Sequence, residues 1–134
     1  MSEANKAVVR SAYAAINAGD LVALAAVLAE DVVEHDVVPG IPPTKAGVIQ
    51  FFTSMRKSFS GLTLTVHDMI AEGDKVATIG TMSGTNVGEF MGMPATGKPV
   101  QVPIADYFRL EHGKVAEHWG VTDTGIMKEQ LGAS

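Results

Sequence analysis

VQVPIADYFRLEHGKVAEHWGV, residues 100–121, is the stretch whose reading decides the fold. Strand side chains alternate between two faces. From Val100 to Leu110 one face collects Val100, Val102, Ile104, Asp106, Phe108 and Leu110, and the other Gln101, Pro103, Ala105, Tyr107 and Arg109. A turn at Glu111-His112-Gly113 leads into a second strand from Lys114 to about Val121. Long strands joined by so short a turn are an antiparallel hairpin. Asp106 is the one charge on an otherwise apolar face, so its carboxylate needs a partner or must keep its proton.

A three-residue loop with Gly113 in the left-handed position puts Asp106 opposite His118, Phe108 opposite Ala116 and Ile104 opposite Gly120. A two-residue His112-Gly113 loop would put Trp119 opposite Asp106, but it needs positive φ at both positions, which suits histidine poorly. The first register predicts a carboxylate–imidazole pair on the inner face. Such a pair either moves protons for catalysis or satisfies itself structurally.

Upstream, Leu62 to Ala71 alternates, with Leu62, Leu64, Val66 and Ile70 on one face, and Gly73-Asp74 turns into a strand from Lys75 to Thr85. The glycine- and methionine-rich loop Asn86 to Pro99, with Phe90, reads either as a rim over a pocket or as a long connection. The first third is helical. Val9, Ala12, Tyr13 and Ile16 fall on one face, Gly19 ends that helix, and Asp20 caps a second one carrying Leu21, Leu24, Ala25 and Leu28. A β segment is expected from Val32 to Val38, broken by Pro39-Gly40. Thr44 caps a third helix with an apolar stripe of Val48, Phe51, Phe52, Met55 and Phe59, and a short helix closes the chain over 122–131. Helices first and antiparallel strands afterwards argue α+β. The expected architecture is a cone-shaped half-barrel, N-terminal helices packed on a strongly curved, mostly antiparallel sheet, with a ligand pocket at its mouth.

The chain has 134 residues, 46% of them hydrophobic and 19% charged, with no cysteine, which fits a single domain over 1–134 and leaves no disulfide or thiolate metal site. A net charge of −5 with interspersed signs offers nucleic acid and anionic membranes no basic face. MSEANKAVVR has no basic start followed by an apolar run, so a cytoplasmic location is expected.

The candidate catalytic residues are Asp106, His118 and His35. His35 alternates with Val33 and Val37 and is either a third polar group in the pocket or a hydrogen-bonded core histidine. His35 or Tyr13 would orient a substrate oxygen, and Phe52, Met55, Phe90, Ile104 and Phe108 would line the pocket. The spacing of His35, Asp106 and His118 matches no metal-ligand motif, so neither metal nor cofactor is expected. Trp119, Tyr107 and Val121 make the outer face apolar enough to suggest a homodimer.

Several segments carry a resemblance. They are Glu72-Gly73-Asp74-Lys75-Val76, Gly84-Thr85 with Gly88-Glu89-Phe90, Ala95-Thr96-Gly97-Lys98, Asp106-Tyr107-Phe108-Arg109, Gly113 to Trp119, and Gln130-Leu131-Gly132. In these the chain resembles the SnoaL-like polyketide cyclases, or ester cyclases, of nuclear-transport-factor-2-like fold. Glu34-His35-Asp36 and the paired helices extend the likeness to the N-terminal half. The resemblance implies an intramolecular aldol condensation that closes the last ring of an aromatic polyketide ester. It also implies an acid–base aspartate two residues after the histidine matching His118. That position is Gly120 here, so the role would pass to Asp106 across the hairpin, with Asp123 a further candidate. Ketosteroid isomerases and limonene-type epoxide hydrolases resemble it in fold.

Two functions follow as expectations. One is an enzyme doing acid–base chemistry on a small hydrophobic carbonyl- or epoxide-containing molecule, as a cyclase, isomerase or epoxide hydrolase. The other is a protein that binds such a molecule without chemistry.

Overall fold

The computed structural model describes residues 2–132. Helices α1 (Ser2–Ala18) and α2 (Leu21–Ala26) lead into strand β1 (Leu28–Glu34), and α3 (Lys45–Ser58) follows. The chain continues through β2 (Phe59–Glu72), β3 (Lys75–Asn86), β4 (Pro99–Glu111) and β5 (Lys114–Thr122) to α4 (Thr124–Leu131). The sheet runs β1-β5-β4-β3-β2. Only β1–β5 is parallel, and the sheet stays open between its edge strands β1 and β2. This is the expected α+β half-barrel, with helices on a mostly antiparallel sheet.

The Asp20 and Thr44 caps lie where the sequence places them. Asp20 accepts from the Ala23 N–H at 3.0 Å, and Thr44 from the Gly47 N–H at 3.3 Å. Asp123 accepts from the Ile126 N–H at 3.0 Å, so this acid caps α4 and stands outside the site. Each cap satisfies an N–H that the helix itself leaves unpaired. The α1 stripe of Val9, Ala12, Tyr13 and Ile16 is buried throughout. Each of its larger members contributes about 1.5–3 kcal/mol relative to exposure. Leu24, Val76 and Leu110 complete that cluster, and a second one gathers Met55, Phe59, Val102 and Leu131 at the α4 end.

Three local expectations need correction. Helix α2 stops at Ala26, so Leu28 leaves the helical stripe and opens β1, four residues before the expected start of that strand. In β2 the register with β3 shifts between Val66 and Asp68. An inserted residue there sends all later side chains to the opposite face. Met69 and Ala71 therefore pack on the core, while Ile70 is 65% exposed. The hairpin between β4 and β5 does use the two-residue turn, with φ 53° at His112 and 73° at Gly113. A bulge then follows: Leu110 pairs with Val115 but Arg109 with Glu117, which leaves Ala116 as the extra residue.

Candidate functional site

The bulge at Ala116 sets the parity of everything after it in β5. Without it, the two-residue turn would point Trp119 inward beside Asp106. With it, Phe108 pairs with His118 and Asp106 with Gly120, so His118 and Gly120 share the inner face with Asp106. The expected opposition of Asp106 and His118 is thus replaced by a diagonal one, still within reach of long side chains. The His118 Nε2–H donates to Asp106 Oδ1 at 2.8 Å.

The pair is part of a longer chain. His118 Nδ1–H donates to Glu34, at 2.7 Å to Oε2 and 2.9 Å to Oε1. Tyr13 on α1 donates its hydroxyl to Asp106 Oδ2 at 2.6 Å. Its single hydrogen is then spent, so the Thr78 hydroxyl, 2.7 Å away, donates to the Tyr13 oxygen. Thr78, Tyr13, Asp106, His118 and Glu34 form one continuous line of hydrogen bonds from five elements of the fold. Among the described residues no buried side-chain polar atom is left without a partner.

Burial by itself would push the His118 proton off, but the hydrogen bonds to Asp106 and Glu34 and the charges of those two carboxylates outweigh it, raising its pKa to about 9. At neutral pH the ring is an imidazolium between two carboxylates. Burial first, and then the adjacent Asp106 charge, push the Tyr13 hydroxyl well above the ordinary phenol range, so it stays a donor.

This line borders a cavity of about 110 Å³. Its walls are mostly apolar: Ile16 and Leu24 from the first helices, Val48 and Phe52 from α3, and Phe108 from β4. Asp106, His118, Glu34 and Asp36 bring the charges. Of the residues singled out from the sequence, Asp106, His118, Tyr13, Phe52 and Phe108 meet at this cavity.

The others do not. His35 lies on the outer face, where its ring stacks on Trp119 at 4.4 Å between centroids and its Nε2 is 2.7 Å from Glu117. In β1 it is Val32 and Glu34 that point inward; Val33 is 43% exposed. Met55 and Ile104 pack in the second core cluster, beyond the cavity. Phe90 packs edge-to-face against Phe59 and borders a separate hollow with Asn86 and Met93. The loop from 86 to 99 is therefore no rim over the cavity. Buried Asn86 anchors it, donating to the Ser58 and Gly88 carbonyls and accepting from Thr96.

Glu34, Asp36 and Thr78 are site residues that the sequence reading missed. Glu34 alternates with Val32, but His35 alternates equally with Val33 and Val37, so the pattern did not single it out. Among the described residues no group of three His, Asp or Glu side chains is arranged to hold a metal ion. Both His118 nitrogens are already committed to carboxylates.

The sequence profile of the SnoaL-like polyketide cyclases matches residues 6–131. The chain belongs to this family. Among solved structures it is similar to TsrD from Streptomyces laurentii, with 30% identity over 98% of this chain and 97% of that one and a TM-score of 0.90. It is similar to IdmH, a putative polyketide cyclase from Streptomyces antibioticus, with 32% identity, 96% and 99% coverage and a TM-score of 0.85. It is similar also to AclR, a putative hydroxylase from Streptomyces galilaeus, with 30% identity, 98% coverage of both chains and a TM-score of 0.86. A search of curated proteins finds no match. Within this SnoaL-like site Gly120 has a steric reason. A Cβ there would stand 2.8 Å from His118 Cε1, 3.0 Å from Asp106 Oδ1 and 3.1 Å from Asp36 Oδ2.

Proposed function

We propose that this protein is a cofactor-independent acid–base enzyme of the cyclase kind, moving a proton on a small, mainly apolar substrate that carries a carbonyl group. The observation behind this reading is the Asp106 carboxylate, held by Tyr13 and His118 against an otherwise apolar cavity. Asp106 is the base that takes a proton from the carbon beside the carbonyl. A carboxylate has about four lone-pair positions, so it keeps room for that proton while accepting from its two partners. His118, charged and hydrogen-bonded on both sides, is a positioning residue that holds Asp106 in place. Phe52 and Phe108 flank the substrate and keep water from the reacting carbon. The likeness to IdmH, a putative polyketide cyclase, supports a ring-closing reaction, and the family resemblance implies aldol chemistry on an aromatic polyketide ester. The likeness to AclR, whose description names another reaction, is the reason to test the proton step directly.

The test is deuterium uptake at the α-carbon of 1-tetralone in deuterated buffer, followed by NMR. Wild type should exceed the buffer rate and Asp106→Asn should not. A variant as fast as wild type would remove Asp106 from the role. A second reading, binding without chemistry, draws on the completeness of the hydrogen-bonded line, which suits a satisfied structural array as well. Under it 1-tetralone binds without exchange.

The same reading includes a homodimer formed through the outer face. Ile79, Ala105 and Val121 lie side by side there, with Ile70, Ala77, Tyr107 and Trp119 in the next row. Val121 is 70% and Ile79 57% exposed, an apolar patch that suits a second copy. Sedimentation showing only monomer at micromolar concentration would argue against it.

A further inference from the structure

Four charged side chains meet around Gly120, and three of them are spoken for. Asp106 accepts from Tyr13 and His118, His118 donates to both Asp106 and Glu34, and Glu34 accepts from His118 and from the Asp36 backbone N–H. Asp36 differs. It follows β1 in the segment that lines the cavity mouth, and among the described residues no N–H or O–H donates to its carboxyl. Gly120 is what lets it approach. With no Cβ on β5 at that point, Asp36 Oδ2 comes within 3.1 Å of the place a Cβ would occupy, and Asp106 Oδ1 within 3.0 Å of the same place. The two oxygens are therefore no more than about 6 Å apart, across a gap that opens on the cavity.

We propose that the Asp36 carboxyl is a second catalytic group, the proton donor to the substrate's carbonyl oxygen while Asp106 takes the proton from the neighbouring carbon. This inference rests on reading the cavity as an acid–base site. The step balances as follows: the α C–H bond breaks and its proton goes to an Asp106 oxygen. The electron pair forms the carbon–carbon double bond, and the carbonyl oxygen gains the Asp36 proton. The products are an enol, a protonated Asp106 and an ionised Asp36. The reverse step, after Asp106 exchanges with solvent, returns the ketone with deuterium at carbon.

Three groups surround the Asp36 carboxyl. Around Asp36 stand Glu34 from β1, His118 from β5 and Asp106 from β4. Asp36 keeps contact with solvent, yet the partial desolvation of its carboxyl first, then the Glu34 charge, raise it above the ordinary carboxylate range, and the His118 charge only partly opposes this. Asp106 instead accepts two hydrogen bonds, one from an imidazolium. A raised carboxyl beside a carboxylate that already accepts two hydrogen bonds can serve as donor and acceptor in one reaction.

The probe is 1-tetralone, whose only polar atom accepts hydrogen bonds and donates none. Its binding is measured by NMR titration across about pH 4 to 8, a range chosen to span a raised carboxyl pKa, with wild type, Asp36→Asn and Asp36→Ala. Exchange is followed in the same samples. The expected result is wild-type binding that weakens as pH rises through the Asp36 pKa. Asp36→Asn, whose amide donates at every pH, should bind with no such dependence, and Asp36→Ala should bind weakly throughout. Exchange by Asp36→Ala should fall by about 10²-fold, the scale of one acid–base group. The same pH dependence in all three proteins would overturn the proposal. Pronounced wild-type dependence without exchange would sustain Asp36 as the carbonyl's donor and sink the enzymatic reading alone. Absence of wild-type binding would overturn both.

Discussion

On the inner face of the β4–β5 hairpin, His118 holds two carboxylates, Asp106 and Glu34. On the outer face His35 and Arg109 share one, Glu117. Both networks use a histidine and a glutamate from the neighbouring pairs Glu34-His35 and Glu117-His118, yet folding perturbs different partners. Inside, the His118 side chain is 20% exposed and its pKa rises to about 9. Outside, hydrogen bonds from His35 and then Arg109 hold the Glu117 carboxyl below the ordinary range, and hydrogen bonds to Glu111 and then Glu117 raise Arg109. Burial concentrates the electrostatic consequence of a pair, whereas water on the outer face dilutes it.

The largest effect expected from breaking this contrast is on activity. Asp106→Asn should lower 1-tetralone exchange by about 10²–10⁴-fold, while Glu117→Gln leaves the rate unchanged. Equal losses in the two variants would erase the distinction between the faces.

Next is the alkaline side of stability. His118 has a folded pKa of about 9 against an unfolded one of about 6.5. The folded state therefore binds more protons between those values, and its stabilisation, full below the lower one, is lost as pH rises through the upper one. Chemical unfolding should show a fall of roughly 3 kcal/mol across that window. His118→Asn should abolish the fall, and His35→Asn should keep it.

A smaller loss is expected from Tyr13→Phe, which removes one hydrogen bond to Asp106 and one from Thr78. Leaving buried groups short of a partner costs about 1–3 kcal/mol. The same variant should slow exchange, since Asp106 loses one of the two groups that orient it. Unfolding titrations that match wild type would show Tyr13 to be an ordinary core residue.

The smallest effect belongs to the outer face on the acid side. Glu117 has a depressed pKa, so its contribution is present above the unfolded value and fades as pH falls through the folded one. Glu117→Gln should flatten the acid limb of the stability curve slightly and leave the alkaline limb intact. An altered alkaline limb would mean that the two networks are coupled through the strand.

By itself the sequence determined that helices precede a mostly antiparallel sheet, that Asp20 and Thr44 cap their helices, and that Asp106 is a lone acid on an apolar face in need of a partner. These follow from periodicity, capping chemistry and the cost of burying a charge, all of which act over a few residues. Only the tertiary structure decided the register of the hairpin, because a bulge at Ala116 is one extra residue that two alternating strands do not announce. It also decided which of Glu34 and His35 faces inward. Val32, Val33, Val37 and Val38 put apolar residues on both faces of that segment, so alternation cannot choose between them. Pairing with β5 does, through Glu34 opposite His118. The convergence of Asp36 on Gly120 was equally out of reach, because it joins a loop to a strand more than eighty residues away through space that exists only when a side chain is missing.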